Sequence, residues 1–221
     1  QKALFDMVTA GDIHKDDIVL EIGPGKGVLT EKLLELAGKV IAIEKDVELI
    51  QLLREKFSKE LEAGRLEILP KDILKFDLEI LREYKKPYKL IANIPYYITG
   101  AIIEQFLGAS YQPSRMVLLI QKEVAERIIA RDQLSGNLGG KQSILSIAVG
   151  AYGTPKIISK VPAGAFFPPP KVDSAIISIE NISRNFFFFA CEQKFFEVVK
   201  YCFGRKRKQL LSSLTEYLVD R

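Results

Sequence analysis

Short apolar runs alternate along the chain with stretches in which apolar residues recur at helical spacing. Runs of the first kind, typical of buried strands, occupy residues 18–22, 39–43, 66–69 and 88–92. Stretches of the second kind occupy residues 2–10, 28–34 and 98–107. Because strands that alternate with helices build parallel sheets, the pattern predicts an α/β fold.

Three more strands are predicted in the second half of the chain, over residues 115–120, 157–161 and 174–179, with a helix over residues 121–131. We expect the last two strands to pair in antiparallel fashion, which gives a seven-stranded, mostly parallel sheet with flanking helices. After residue 180 the composition changes to a polar link, a run of phenylalanines and a short cationic segment. We therefore predict one domain over residues 1–180 and a small helical domain over residues 181–221.

Composition narrows the classes of function. The chain is 48% hydrophobic, enough for a packed core, yet it has no apolar run near the roughly 20 residues that span a bilayer and no secretory signal pattern. We therefore predict a cytoplasmic protein with no membrane partner. Two cysteines and one histidine provide neither a disulfide framework nor a zinc set, so no metal is expected. The net charge of +4 is compatible with a polyanionic partner.

Acids and glycines recur where the predicted strands end. Glu21 lies near the end of the first strand, and Gly23 and Gly25 follow that strand. These two glycines let a ligand approach the backbone amides closely. Glu44, at the tip of the second strand, is placed to accept hydrogen bonds from both hydroxyls of a ribose. Asp72, after the third strand, could accept one from an adenine amino group, or it could be a turn residue. The G-x-G-x-G spacing disfavours a dinucleotide-binding oxidoreductase.

The fourth predicted strand ends in Asn93-Ile94-Pro95-Tyr96. The Asn93 carboxamide and the Ile94 carbonyl could accept hydrogens from an exocyclic amine, while Tyr96 offers a face for stacking on a flat ring. A loop in which the proline ends the strand and the tyrosine covers it is the simpler interpretation. The order of acid with glycines, acid, acid and Asn-Ile-Pro-Tyr at successive strand ends favours a binding site.

Taken together, these motifs resemble the successive motifs of S-adenosylmethionine-dependent adenine-N6 methyltransferases. The chain is most similar to the ribosomal RNA adenine dimethyltransferases, the KsgA family and its macrolide-resistance relatives. The residues that carry the resemblance are 21–27, Glu44, Asp72 and 93–96, continuing through 119–125 and 166–175. The family's amino-terminal Gly-Gln-His/Asn-Phe-Leu pattern is not found in this sequence. The carboxyl-terminal domain of the family is usually longer, so we expect residues 181–221 to represent it incompletely.

The resemblance implies a Rossmann-like class I methyltransferase fold with S-adenosylmethionine as cofactor. The cofactor would be bound by Glu21, Gly23, Gly25, Glu44, Lys45, Asp72, Ile73 and Asn93. The catalytic residues would be Asn93, Pro95, Tyr96 and Phe166. Phe166 would stack on an extruded adenine opposite Tyr96, although a place in the core is the simpler interpretation. The implied substrate is a pair of adjacent adenines near the 3′ end of small-subunit ribosomal RNA, presented to a monomeric enzyme in a pre-30S particle.

Two polar segments are candidate RNA contacts. The first is a run of four consecutive cations, Arg205, Lys206, Arg207 and Lys208. Such cations repel one another unless an anion is near. On a helical appendage beside a methyltransferase core, they suit phosphate contacts better than a plain solvated face. The glycine-rich segment 132–141 is either a surface loop or a lid over substrate RNA.

Two other functions stay open. A large-subunit methyltransferase of the macrolide-resistance type would use the same chemistry, although the run 166–175 and the four cations favour the small-subunit type. An assembly factor that binds RNA without depending on catalysis would keep the same fold. The intact acids at the strand ends and the intact Asn93 argue against lost activity.

Overall fold

A sheet of seven strands forms the centre of the computed structural model, which describes residues 2–129, 143–166, 168–189, 191–204 and 210–219. The strands are β1 (Ile18–Ile22), β2 (Lys39–Glu44), β3 (Leu66–Pro70), β4 (Tyr88–Asn93), β5 (Arg115–Gln121), β6 (Thr154–Val161) and β7 (Ser174–Glu180). Their order across the sheet is β3-β2-β1-β4-β5-β7-β6. The first five are parallel, whereas β7 lies antiparallel between β5 and β6. The predicted sheet and its antiparallel last pair are confirmed.

Helices cover both faces of the sheet. Those in the described ranges are α1 (Lys2–Gly11), α2 (Val28–Leu36), α3 (Val47–Lys56), α4 (Ser58–Glu62), α5 (Thr99–Gly108), α6 (Lys122–Ile129), α7 (Ile144–Tyr152), α8 (Glu192–Gly204) and α9 (Leu210–Val219). The first two predicted helices and the one after β4 are present as α1, α2 and α5. The next, α6, begins one residue later than predicted because Gln121 still pairs with Ser174 in the sheet. No helix in these ranges is long and apolar enough to span a membrane.

The hydrophobic pattern does not predict α3, α4 or α7. The stripe that α3 buries consists of Ile50 and Leu53 only, which is too narrow to stand out in the sequence. Its start is fixed instead by Asp46, whose carboxylate accepts hydrogen bonds from the backbone amides of Glu48 and Leu49 at 2.9 and 3.2 Å. By contrast, α7 is apolar on nearly every side, so it has no helical period to recognise.

Both faces of the central strands are buried. In β1, Leu20 belongs to a core cluster that includes Phe106 of α5 on one face. Its neighbour Val19 belongs to a second cluster that includes Leu33 of α2 on the other face. Strands covered by helices on both faces need apolar residues at consecutive positions. The exception in β1 is Glu21, which is buried as well.

The segment after β7 packs onto the helices of the sheet. Phe187 and Phe196 lie against Tyr152 of α7, with ring centroids 5.2 and 5.8 Å apart. The Tyr152 hydroxyl donates a 2.6 Å hydrogen bond to Glu192 of α8. Helices do follow residue 180, as α8 and α9. Because these aromatic contacts cross the boundary at residue 180, the division into two domains stays a prediction.

Candidate active site

The carboxyl ends of β1, β2, β3 and β4 meet around a cavity of about 280 Å³. Seven of the eight residues predicted to bind a cofactor line this glycine-turn cavity: Gly23, Gly25, Glu44, Lys45, Asp72, Ile73 and Asn93. Strand order reverses between β1 and β4, and open α/β sheets bind ligands outside the strand ends at such a point. Leu49, Lys71 and Tyr97 also line the cavity, and the sequence motifs did not single them out.

The glycine turn presents bare backbone to the cavity. Gly23 and Gly25 have φ angles of +63° and +58°, which favour glycine. A Cβ atom built on either of them would meet no other atom within 4 Å. At Gly27 (φ +74°) it would lie 2.5 Å from a ring carbon of Phe57. The absence of side chains at Gly23 and Gly25 therefore leaves room for a ligand, whereas their absence at Gly27 lets the turn pack closely on Phe57.

Glu44 is a fixed acceptor at the tip of β2. One carboxylate oxygen accepts hydrogen bonds from the backbone amides of Lys45 and Asp46, at 2.8 and 3.1 Å. The other oxygen lies 3.4 Å from the Gly25 amide. The side chain is only 8% exposed and lines the cavity. A carboxylate that is already oriented in this way can accept hydrogen bonds from hydroxyl groups without a further loss of side-chain entropy.

The segment after β3 is held from two sides. One Asp72 oxygen caps a short 3-10 helix by accepting from the Leu74 amide at 3.1 Å, and the other lies 3.8 Å from Lys45 Nζ. The Gln105 amide of α5 donates hydrogen bonds to the Ile73 and Phe76 carbonyls, at 3.0 and 3.3 Å. Asp72 is thus both the turn residue and a cavity residue, so its two interpretations are compatible.

Glu21 is placed behind the glycine turn rather than in the cavity. It is 1% exposed and is absent from the cavity lining within the described residues. The Thr30 hydroxyl of α2 donates a 2.6 Å hydrogen bond to its carboxyl group. Burial raises the pKa of Glu21 from 4.5 to about 8, opposed by the Thr30 hydrogen bond and assisted by the Glu44 charge. Direct contact of Glu21 with a cofactor stays a prediction, and the geometry favours support of the turn.

Replacing Glu21 with glutamine is expected to protect the protein against alkaline pH. Because the folded-state pKa of about 8 lies above the ordinary value of 4.5, the free energy of unfolding should fall as pH rises between these values. Glutamine has no proton to lose, so the variant should exceed the original protein in stability at pH 8.5, by roughly 2–4 kcal/mol. The advantage should shrink to about 1 kcal/mol or less near pH 5, where Glu21 is protonated in the folded protein and is ionised only in the unfolded chain.

Urea unfolding at both pH values measures this difference. The same substitution at Glu55, an exposed acid of α3, serves as the control for the loss of one carboxyl group. An equal stability difference at pH 5 and pH 8.5 for Glu21→Gln would mean that Glu21 is already ionised in its buried position.

A second cavity, also of about 280 Å³, adjoins the Asn-Ile-Pro-Tyr turn. We call it the aromatic cavity, and it is lined by Asn93, Ile94, Pro95, Tyr96, Phe166, Pro168 and Pro170. The four residues predicted to be catalytic are therefore together, although Phe166 comes from the connection between β6 and β7. Asn93 and Pro95 line both cavities, so they lie between the two.

The predicted RNA contacts cannot be placed in this arrangement. Arg205, Lys206, Arg207 and Lys208 lie outside the described residues, as does the candidate lid at 132–141. Their roles stay predictions. A separate polar groove is lined by residues from α6 and from the segment before β7, among them Lys122 and Lys171.

A seven-stranded sheet with an antiparallel β7, carrying a glycine turn and an acid at successive strand ends, defines a Rossmann-like class I methyltransferase. Within that class the chain belongs to the ribosomal RNA adenine dimethylase family, whose model matches residues 1–221. Named relatives and solved structures agree with this membership.

Two curated relatives carry the name ribosomal RNA small subunit methyltransferase A. The protein of Dehalococcoides mccartyi is 43% identical over 218 residues, which cover 99% of this chain and 72% of that protein. The protein of Clostridium botulinum is 38% identical over 221 residues, which cover 100% of this chain and 78% of the relative. Both alignments span the glycine turn and the Asn-Ile-Pro-Tyr turn.

Two solved structures are similar over nearly the whole chain. A dimethyladenosine transferase from Plasmodium falciparum has a TM-score of 0.78 and 32% identity, covering 96% of this chain and 72% of that one. The 23S rRNA methyltransferase ErmE has a TM-score of 0.79 and 27% identity, covering 98% of this chain and 82% of that one. The similarity thus extends over nearly all of the chain that forms the sheet.

Proposed function

We propose that this protein transfers methyl groups from S-adenosylmethionine to N6 of two adjacent adenines near the 3′ end of small-subunit ribosomal RNA, dimethylating each. It acts as a monomer in the cytoplasm, on a pre-30S particle. The observation that carries the proposal is the shared wall of the two cavities, where Asn93 faces a cofactor space on one side and an aromatic space on the other. A donor and an acceptor would meet at that wall.

The glycine-turn cavity suits S-adenosylmethionine, which supplies an electrophilic methyl group on a sulfonium. Gly23 and Gly25 leave space against the backbone, where the amino-acid end of the cofactor would lie. Glu44 would accept the two ribose hydroxyls, since its carboxylate is already oriented by backbone amides. Asp72 would accept from the adenine amino group, and Ile73 would pack on the ring. Lys45 lines the same cavity, and its Nζ lies near the Asp72 carboxylate.

The aromatic cavity suits an extruded adenine. The N6 lone pair of adenine is delocalised into the ring, which makes the amine a poor nucleophile. Accepting its hydrogens on the Asn93 carboxamide and the Ile94 carbonyl would hold the nitrogen and aim its lone pair at the cofactor side. Tyr96 and Phe166 would stack on the two ring faces, each contributing about 1–3 kcal/mol towards the cost of extrusion.

Dimethylation follows from the same arrangement. After one transfer a hydrogen remains on N6, so one of the two acceptors still has a donor to hold. Neither step needs a strong base, because the product amine can lose its proton to water afterwards.

The choice of the small subunit rests on the relatives. Those named small subunit methyltransferase A are 38–43% identical to this chain, whereas the large-subunit enzyme ErmE is 27% identical. We further propose that residues 1–180 form the catalytic domain and residues 181–221 the RNA-binding helical domain. The cations Arg205, Lys206, Arg207 and Lys208 would contact phosphates there.

Labelled S-adenosylmethionine tests the proposal directly. The protein is incubated with unmethylated 30S particles, naked small-subunit RNA or 50S material, and modified nucleotides are mapped by mass spectrometry. We expect dimethyladenosine at two adjacent positions, formed in small-subunit material only. Incorporation confined to 50S material would replace the small-subunit assignment with the large-subunit one. Cofactor binding without transfer to any RNA would favour the assembly factor.

A further inference from the structure

A hydrogen bond between two hydroxyl groups holds the far end of the Tyr96 side chain. Its phenol oxygen lies 2.7 Å from Ser174 Oγ, and Ser174 is 0% exposed. Ser174 is fixed from both sides by the sheet, since it pairs with Gln121 of β5 and Val161 of β6. This hydrogen bond therefore ties a residue of the turn after β4 to a rigid position two strands away.

Asp173, the residue before Ser174, holds the connection that carries Phe166, on the other side of the aromatic cavity. Its carboxylate accepts a 3.0 Å hydrogen bond from the Ala163 amide, and its carbonyl accepts one from the Lys122 amide at 3.0 Å. Ala163 lies three residues before Phe166. Consecutive residues at the start of β7 thus secure the tyrosine and the phenylalanine side of the aromatic cavity.

We propose that Ser174 is a positioning residue for methyl transfer, acting through the Tyr96 ring. The proposal rests on the function proposed above. An aromatic side chain fixed only at its Cβ can turn about two torsions, and the second of these is broad. The phenol oxygen lies on the axis of the second torsion, so a hydrogen bond to it fixes the first torsion and with it the position of the ring. The stacking face is then held at one place in the cavity, which sets where the adenine lies relative to the cofactor side and the direction of its N6 lone pair.

This role affects alignment more than binding. Most RNA affinity comes from phosphate contacts, which a tilt of one ring leaves unchanged. Alignment of the reacting atoms, in contrast, decides how often the bound complex reacts. Loss of the Ser174 hydroxyl should therefore reduce kcat and leave the binding constants nearly as they are. A merely structural hydroxyl would change stability instead.

The first test compares two alanine variants on the same strand. Ser174→Ala is expected to lower kcat by about 10-fold, the factor that corresponds to one typical hydrogen bond. KM for 30S particles and Kd for S-adenosylmethionine should stay within about 2-fold. Ser178→Ala is the matched control, since it removes a hydroxyl from another fully buried serine of β7, which donates to Glu180 at 3.3 Å and lines neither cavity. It should leave kcat unchanged.

The second test asks whether Ser174 acts through Tyr96. Tyr96→Phe keeps the stacking face and deletes the other half of the hydroxyl pair, so it should lower kcat by a similar factor. The double variant should be no slower than either single variant, because both remove one interaction. Ser174→Thr, which keeps the hydroxyl, should retain most of the kcat.

Several outcomes would overturn the proposal. One is an unchanged kcat in Ser174→Ala, with or without a lower melting temperature. Another is a double variant whose loss equals the product of the single losses, since the two hydroxyls would then act independently. Absence of methylation by the original protein would reject the proposed function itself, which is a different result from either of these.

Discussion

Asn93→Ala is expected to abolish most methyl transfer while leaving cofactor binding almost intact. Asn93 ends β4 and lines both cavities, so its carboxamide would hold the adenine amine where the proposed donor and acceptor meet. Removing one preorganised polar group that acts on developing charge typically costs about 100- to 1000-fold in rate. We expect a loss of at least about 100-fold in kcat and a change of less than about 3-fold in Kd for S-adenosylmethionine.

Single-turnover methylation of 30S particles gives the rate, and calorimetric titration with S-adenosylmethionine gives the affinity. Tyr97→Ala is a useful comparison, since Tyr97 is 81% exposed, lines the glycine-turn cavity and does not line the aromatic one. It removes a larger side chain from the same turn, yet should reduce kcat far less. If Asn93→Ala weakened cofactor binding as much as it slowed transfer, Asn93 would be a cofactor ligand rather than a residue that holds the acceptor.

Glu44→Ala is expected to have the opposite profile. The Glu44 carboxylate is fixed by the Lys45 and Asp46 amides and would hold both ribose hydroxyls. Hydrogen bonds to a charged acceptor contribute about 1.5–3 kcal/mol each, so the variant should bind S-adenosylmethionine at least about 10-fold more weakly. Once the cofactor is saturating, kcat should return to within about 3-fold of the original value, because Glu44 does not line the aromatic cavity.

The control for this change is Glu48→Ala. Glu48 is an exposed acid in the first turn of α3 and lines neither cavity. Its loss therefore changes the local charge without removing a group that would contact the cofactor. Calorimetry on both variants separates a ribose contact from a general field effect. Equal weakening by Glu44→Ala and Glu48→Ala would show that charge alone matters at this strand end.

Much of the sheet is predictable from sequence because its central strands are buried on both faces. Runs such as that of β1 are apolar at almost every position, and each ends in a polar or glycine residue that marks the edge of the sheet. The placement of Glu44 and Asp72 at one edge follows from this, since the carboxyl ends of parallel strands meet there, whereas Lys45 and Ile73 are assigned to a cofactor by the family resemblance. The helix α3 escapes prediction because its start depends on a cap and its buried stripe is narrow.

The supporting contacts of the site are not predictable in the same way. The pairing of Tyr96 with Ser174 joins residues 78 positions apart, and it depends on β7 lying beside β5. Likewise, the sequence offers Glu21 as a polar residue before a glycine turn, but only the packing of α2 reveals Thr30 as its partner. Patterns along the chain identify which residues end a strand, whereas the order of strands decides which of those residues meet.

The hold of Gln105 on the Ile73 and Phe76 carbonyls has a mechanical consequence. The helix that carries this glutamine begins at Thr99, directly after the turn that presents Tyr96. Helix α5 thus joins the turn of the proposed adenine site to the segment that carries Asp72 and Ile73 of the proposed cofactor site. The separation between the two proposed sites would therefore be set by one helix, and a displacement at either end would shift the other.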